Sequence, residues 1–185
     1  MKFEEGIKYP FVRSKGLTNI FWALIPIFGW LALGGYKVDI VTSIVSGKKE
    51  KGLPTFRGFG TSMAEGFMLI LRMLPIMILL IILTSFIGML SENLGVLIYL
   101  IFSIIYIPMM TINVMVKKKI SATFEFKHIL NLVSKNFGEY LITLLRGIGY
   151  SLVTTLLMLV LVGIPMTMAR NMYWADFYRE FGGNK

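Results

Sequence analysis

Charged residues are missing from two long stretches in the middle of the chain, 73–90 and 94–116, and only Ser91, Glu92 and Asn93 divide them. Each run is close to the roughly 20 apolar residues with which a helix crosses about 30 Å of hydrocarbon. A helix satisfies its own backbone polar groups, as a segment in lipid must. The pattern predicts a transmembrane helical hairpin with spans at about 68–90 and 94–116. An earlier uncharged run carries Trp22, Trp30 and Tyr36, aromatic types suited to a boundary between apolar and wet regions. It predicts a span over about 17–46, kinked at Pro26, with Gly34 and Gly35 allowing close packing or a bend, and ended by Gly47. A last run, interrupted only by Arg146, predicts a fourth span over about 141–169.

The connecting segments alternate differently. Phe56, Phe59, Met63, Phe67 and Ile70 recur at helical spacing, with Arg57, Thr61, Ser62 and Glu65 between them. Residues 54–67 are expected to form an amphipathic helix on the membrane surface. The alternative is the wet end of the second span, with Gly58, Gly60 and Gly66 weakening any helix there. A clearer amphipathic segment at 124–137 sets Phe126, Ile129, Leu130, Val133 and Phe137 against Glu125, Lys127, His128, Asn131, Ser134 and Lys135. Residues 1–16, mixing Lys2, Lys8, Arg13 and Lys15 with Phe3, Tyr9 and Phe11, read as an interfacial leader broken by Pro10. The tail, 170–185, spaces Trp174, Phe177, Tyr178 and Phe181 along one face and reads as a second interfacial segment. The fold class is all-α: a polytopic transmembrane helical bundle whose membrane domain covers 17–169. In each half a basic cluster precedes an amphipathic segment and a span opened by Arg72 or Arg146. An internal duplication and the common grammar of membrane insertion both account for that match.

Composition strengthens the membrane reading. The hydrophobic share is 56% and the mean hydropathy +0.72, whereas a soluble domain is about 45–50% apolar. Nineteen Lys and Arg against ten Asp and Glu give a net charge of +9. In such a protein the excess points to positive-inside loops and to membrane lipids, anionic headgroups included, as partners; nucleic acid is not expected as one. The turn at Glu92 lies between two basic loops, so the hairpin is expected to run in, out, in. The termini stay open: four crossings would leave both outside, while the basic leader favours the inside. A re-entrant first segment broken at Pro26 would remove the conflict.

Candidate chemistry is sparse. Tyr99, Ser103, Tyr106 and Asn113 share one helical face, either an interhelical packing seam or the lining of a polar path. Thr143, Gly147, Ser151 and Thr155 form a small-residue stripe that admits a close helix, more simply an internal neighbour than a second chain. Asp39, Arg72, Glu139 and Arg146 sit near expected span ends, and an Asp39–Arg72 pair is conceivable. With no cysteine and one histidine, His128, on a polar helix face, neither a zinc motif nor a histidine–cysteine catalytic pair can be assembled. The stretch from Gly58 to Met63 lacks the endings of nucleotide-binding loops. The thirteen methionines fall in packing runs rather than ligand patterns. No catalytic residue, metal site or cofactor is expected.

Gly34-Gly35-Tyr36, Ile40-Val41, Gly47-Lys48, Leu53-Pro54-Thr55-Phe56, Gly66 and Leu74-Pro75 form an ordered set of short motifs. In these the chain resembles a family of uncharacterised bacterial and archaeal multi-spanning membrane proteins. There a span ends in Gly-Tyr, followed by a helix, a Gly-plus-charge turn, Leu-Pro-x-aromatic, and a glycine before the next span. The likeness covers about 25–75 in motifs and the rest in hydropathy. It implies a fold and a membrane location, and neither a reaction nor a ligand. The expectation is a multi-pass protein of the cell membrane, not an enzyme, acting as a structural or assembly subunit beside other membrane protein subunits. The alternative is a small transporter, channel or lipid-handling protein.

Overall fold

The computed structural model describes residues 1–13, 21–22, 24–48, 52–159 and 163–182. Lys15 of the leader, the start of the expected first span, Lys49 and Lys51 of the first basic cluster, residues 160–162 of the expected fourth span and the last three residues lie outside that set. All regular structure among the described residues is helical. Helix α1, Phe3–Lys8, passes into a 3-10 turn at Tyr9–Phe11, where Pro10 blocks continuation. Helix α2 spans Phe28–Val45 and α3 spans Phe59–Leu90. Helices α4, Glu92–Ile101, and α5, Ile107–Lys117, join through a five-residue π turn, Phe102–Tyr106, into one 26-residue rod. Helix α6, Phe126–Lys135, leads directly into α7, Phe137–Met158. The short α8, Gly163–Met166, a 3-10 turn at Thr167–Ala169 and α9, Met172–Phe181, follow.

Among the described residues three helices are long and apolar enough to cross a membrane: α3, the α4–α5 rod and α7. Only 28%, 28% and 17% of their most apolar windows are buried inside the protein. Phe86, Met89, Leu90, Leu97 and Leu152 are exposed, a surface that lipid or other membrane helices would have to cover. The expected first span differs. Within the described residues it is α-helical only from Phe28, after Ile27 turns the chain at φ 62°. It carries Lys37 and Asp39 and is not among the three long apolar helices. The last span also ends early, at Met158, and the described chain resumes in the separate short helix α8 instead of continuing straight to residue 169.

Helix α2 is the hub. Ala32, Tyr36, Val38, Ile40, Val41 and Ile44 are all but fully buried, and at helical pitch they spread around most of its circumference. It packs against α3, α5 and α9. At the crossing with α3 there is no room for side chains: a Cβ on Gly35 would stand 1.9 Å from the Ser62 carbonyl oxygen, and one on Gly66 1.9 Å from that of Leu31. The loop before α3 docks on the same joint. Leu53 is buried there, the Tyr36 hydroxyl donates to the Pro54 carbonyl at 2.8 Å, and the Phe56 ring stands edge-on to Tyr36.

Three amphipathic expectations change. Residues 52–58 are irregular, and from Phe59 a single helix of 32 residues, about 48 Å long at 1.5 Å per residue, reaches Leu90, so 54–67 is not a separate surface helix. The tail is core. Met172, Tyr173, Ala175, Asp176, Phe177 and Tyr178 are buried, because the aromatic row meets α2, α5 and α7 rather than a membrane surface. The leader lies on the tail: Phe3 stacks on Tyr173, the Tyr173 hydroxyl donates to the Phe3 carbonyl at 2.8 Å, and the Met1 amino group pairs with Asp176. Helix α6 keeps part of the expected pattern: Ile129 and Val133 turn inward together with Leu132, while Leu130 and Phe137 of the expected row are exposed.

Candidate functional site

Pro108 determines the shape of the α4–α5 rod. It has no N–H to give to the carbonyl four residues earlier, and its ring crowds that position, so the regular hydrogen-bond ladder is interrupted there. The backbone answers with the π turn just upstream. The loosened carbonyls of Ile104 and Ile105 accept from the Tyr140 hydroxyl on α7, the second at 3.1 Å. A backbone defect within a candidate span is thereby closed by a side chain from another helix.

Two turns further, α5 presents Asn113, which is 0% exposed. Its amide donates to the Ala122 carbonyl at 2.9 Å and to Glu125 Oε2 at 3.0 Å. Its Oδ1 accepts from the Tyr178 hydroxyl of α9 at 2.6 Å. Glu125 also pairs with Lys117. Burial works to raise the Glu125 carboxyl, but the bonds from Lys117 and Asn113 outweigh it and hold it below the ordinary carboxylate range. Burial, with the nearby Glu125 charge, pushes the Tyr178 phenol up to about 12. Beside this group the Tyr106 hydroxyl donates to the Thr123 carbonyl at 2.6 Å, and Tyr106 stacks on Phe126. Asn113 thus ties α5, the turn at Ile120–Phe124 and α9 into one junction.

A second polar cluster lies where α2 meets α3. Asp39 takes Arg57, with Nε 2.9 Å from Oδ2. Glu65 takes Arg72 at 2.7 Å, seven residues along the same helix, and Lys118 at 3.3 Å. The Asp39–Arg72 pair does not form; each group has a nearer partner of opposite charge. Arg72 is only 8% exposed, so its charge depends on Glu65.

The expected polar face divides. Tyr106 and Asn113 enter the junction, Ser103 falls in the π turn with its hydroxyl buried, and Tyr99 points outward at 53% exposure. The change of helical pitch at the π turn breaks the row. Of the stripe, Thr143 is buried and bonds back to the Glu139 carbonyl, Gly147 lies against the Trp174 ring, and Ser151 and Thr155 line a groove beside α9. Arg146 donates to the Met1 carbonyl at 3.1 Å. His128 is half-buried and edge-on to Tyr178 rather than solvated. Spacing does not reveal Glu125, Tyr140 or Tyr178 as polar partners, because each lies on a different element from the group it completes. Among the described residues no three of His, Cys, Asp and Glu are grouped to hold a metal ion.

The fold defines an all-α, multi-pass class of membrane protein, with three helices among the described residues fit to cross a bilayer. The chain belongs to the family described as Protein of unknown function (DUF4013), whose model matches residues 19–163. No curated protein and no solved structure matches it.

Proposed function

We propose that the protein is a non-enzymatic subunit or assembly factor of a larger complex in the cell membrane, presenting its α3–α4 hairpin to partner helices. The observation that carries this reading is the hairpin's surface. The two helices meet tightly where Gly95 lies against the backbone of Gly88 and Thr84, and their remaining faces are apolar and exposed, with Ile82, Phe86, Val96 and Leu100 among them. The Ser103 hydroxyl is the one buried group of the expected polar face without a hydrogen-bond partner among the described residues, while Thr84 bonds back to the Leu80 carbonyl and Asn113 has the partners described above. That favours contact with other apolar helices over a polar conduit along Tyr99, Tyr106 and Asn113.

The test is photo-crosslinking in native membranes from Phe86 and Val96, followed by extraction in mild detergent. The expected result is one protein adduct, reproducible from both positions, that also co-purifies without crosslinking. Adducts with lipid alone, together with recovery of a lone monomer, would defeat the subunit reading. Lipid handling is the second reading, favoured by the groove beside α7.

A further inference from the structure

The row Leu144, Ile148, Leu152 and Leu156 advances by four along α7, parallel to the small residues Gly147, Ser151 and Thr155. Large side chains beside a row of small ones leave a trough. Its far wall comes from Arg170, Asn171 and Trp174, and its volume is about 590 Å³, within the roughly 300–1,000 Å³ common for ligand sites. The apolar wall faces outward: Leu152 is 62% and Leu156 67% exposed. A second cavity of about 240 Å³ adjoins it, sharing Ser151, Thr155 and Arg170 and adding Lys37, Thr154 and Thr167 to the lining.

Lys37, from the hub helix, and Arg170, from the turn before α9, line that second cavity together, and their charges repel. Elsewhere in the fold Arg72 and Lys118 share Glu65, Lys117 has Glu125 and Arg179 has Asp176. Among the described residues Lys37 and Arg170 form no ion pair with a carboxylate. Two unneutralised cations beside threonine hydroxyls select an anion with several acceptor oxygens, as a phosphate has. The adjoining apolar trough, on a helix fit to cross a membrane, selects a hydrocarbon chain attached to that anion.

We propose that this groove binds a lipid of net negative charge, its phosphate between Lys37 and Arg170 and an acyl chain along Leu144, Ile148 and Leu152. The inference rests on the membrane placement of α7 and not on the subunit reading, so either can fail while the other stands.

Native mass spectrometry of the full chain in detergent tests it, with phosphatidylglycerol, phosphatidylcholine and inorganic phosphate as separate probes. Phosphatidylglycerol is expected to be retained in preference to phosphatidylcholine, whose choline cancels its phosphate charge. Arg170→Gln, at an exposed position, should weaken phosphatidylglycerol by about tenfold, the order of one charge-assisted contact, and leave phosphatidylcholine unchanged. Ser151→Phe, which fills the trough, should weaken both lipids while an unchanged melting temperature verifies folding. Equal retention of the two lipids, no effect of Arg170→Gln, or displacement of phosphatidylglycerol by equimolar inorganic phosphate would each overturn the proposal.

Discussion

At Asn113 one side-chain amide both donates and accepts, which is what the convergence of Ala122, Glu125 and Tyr178 on a single buried point requires. Asn113→Ala leaves a buried phenol and a carbonyl without their partner. It is expected to cost roughly 2–4 kcal/mol, against about 1 kcal/mol for Tyr178→Phe, in thermal unfolding in detergent. The same junction sets the pH response. Glu125 is held below its ordinary value of 4.5, so its contribution is complete above that value and is lost as pH falls through the lowered one. Melting temperature should therefore drop on acidification below about pH 4.5, and Glu125→Gln should flatten that part of the profile. The phenols act in the opposite direction. Burial raises both Tyr173 and Tyr178 to about 12 from 10.0; their contribution is full below pH 10 and declines as pH rises toward 12. Phenylalanine at both positions should move that alkaline loss upward.

At the scale of elements, the α2–α3 crossing separates glycines that look alike in sequence. Gly60 opens on empty space and Gly66 on the Leu31 carbonyl. Gly60→Ala is expected to stabilise by up to about 1 kcal/mol, through helix propensity and reduced freedom of the unfolded chain. Gly66→Ala must push two backbones apart and should be strongly destabilising by the same measurement. The charged cluster beside this crossing gives a companion test. Glu65→Gln strands the buried Arg72 and should cost about 3–5 kcal/mol, whereas Glu65→Gln with Arg72→Met should recover much of the loss. The apolar runs of α3 and the α4–α5 rod are legible in the sequence because length and absence of charge suffice for them. The start of α3 is not: Phe56, Phe59 and Phe67 suit a surface helix equally well, and only contact with Tyr36 and Gly35 distinguishes the two. The π turn is hidden for a similar reason, since Pro108 announces a defect without saying that Tyr140 will close it.

Across the whole molecule, the long apolar segments declare themselves but the two termini do not, because a row of aromatics such as Trp174, Phe177, Tyr178 and Phe181 suits a buried helix as well as a membrane surface. Packing decides. Tyr178 reaches Asn113 near the basic end of α5, Met1 reaches Asp176, and Lys118 reaches Glu65 near the start of α3. Leader, tail and the Lys117–Lys119 cluster therefore gather at one end of the hairpin, and Ser91, Glu92 and Asn93 stand at the other. The charge conflict raised by counting four spans disappears, because the basic leader joins the basic loop instead of opposing it. The chain has no cysteine, so single replacements at Lys2, Asn93, Lys118 and the exposed Glu180 each carry one thiol. In intact cells a membrane-impermeant maleimide is expected to label Asn93→Cys and to reach the other three only after permeabilisation. Labelling of Lys2→Cys and Lys118→Cys from opposite sides would contradict the packing of leader on tail and tail on α5, since a lipid bilayer would then have to pass between elements that touch.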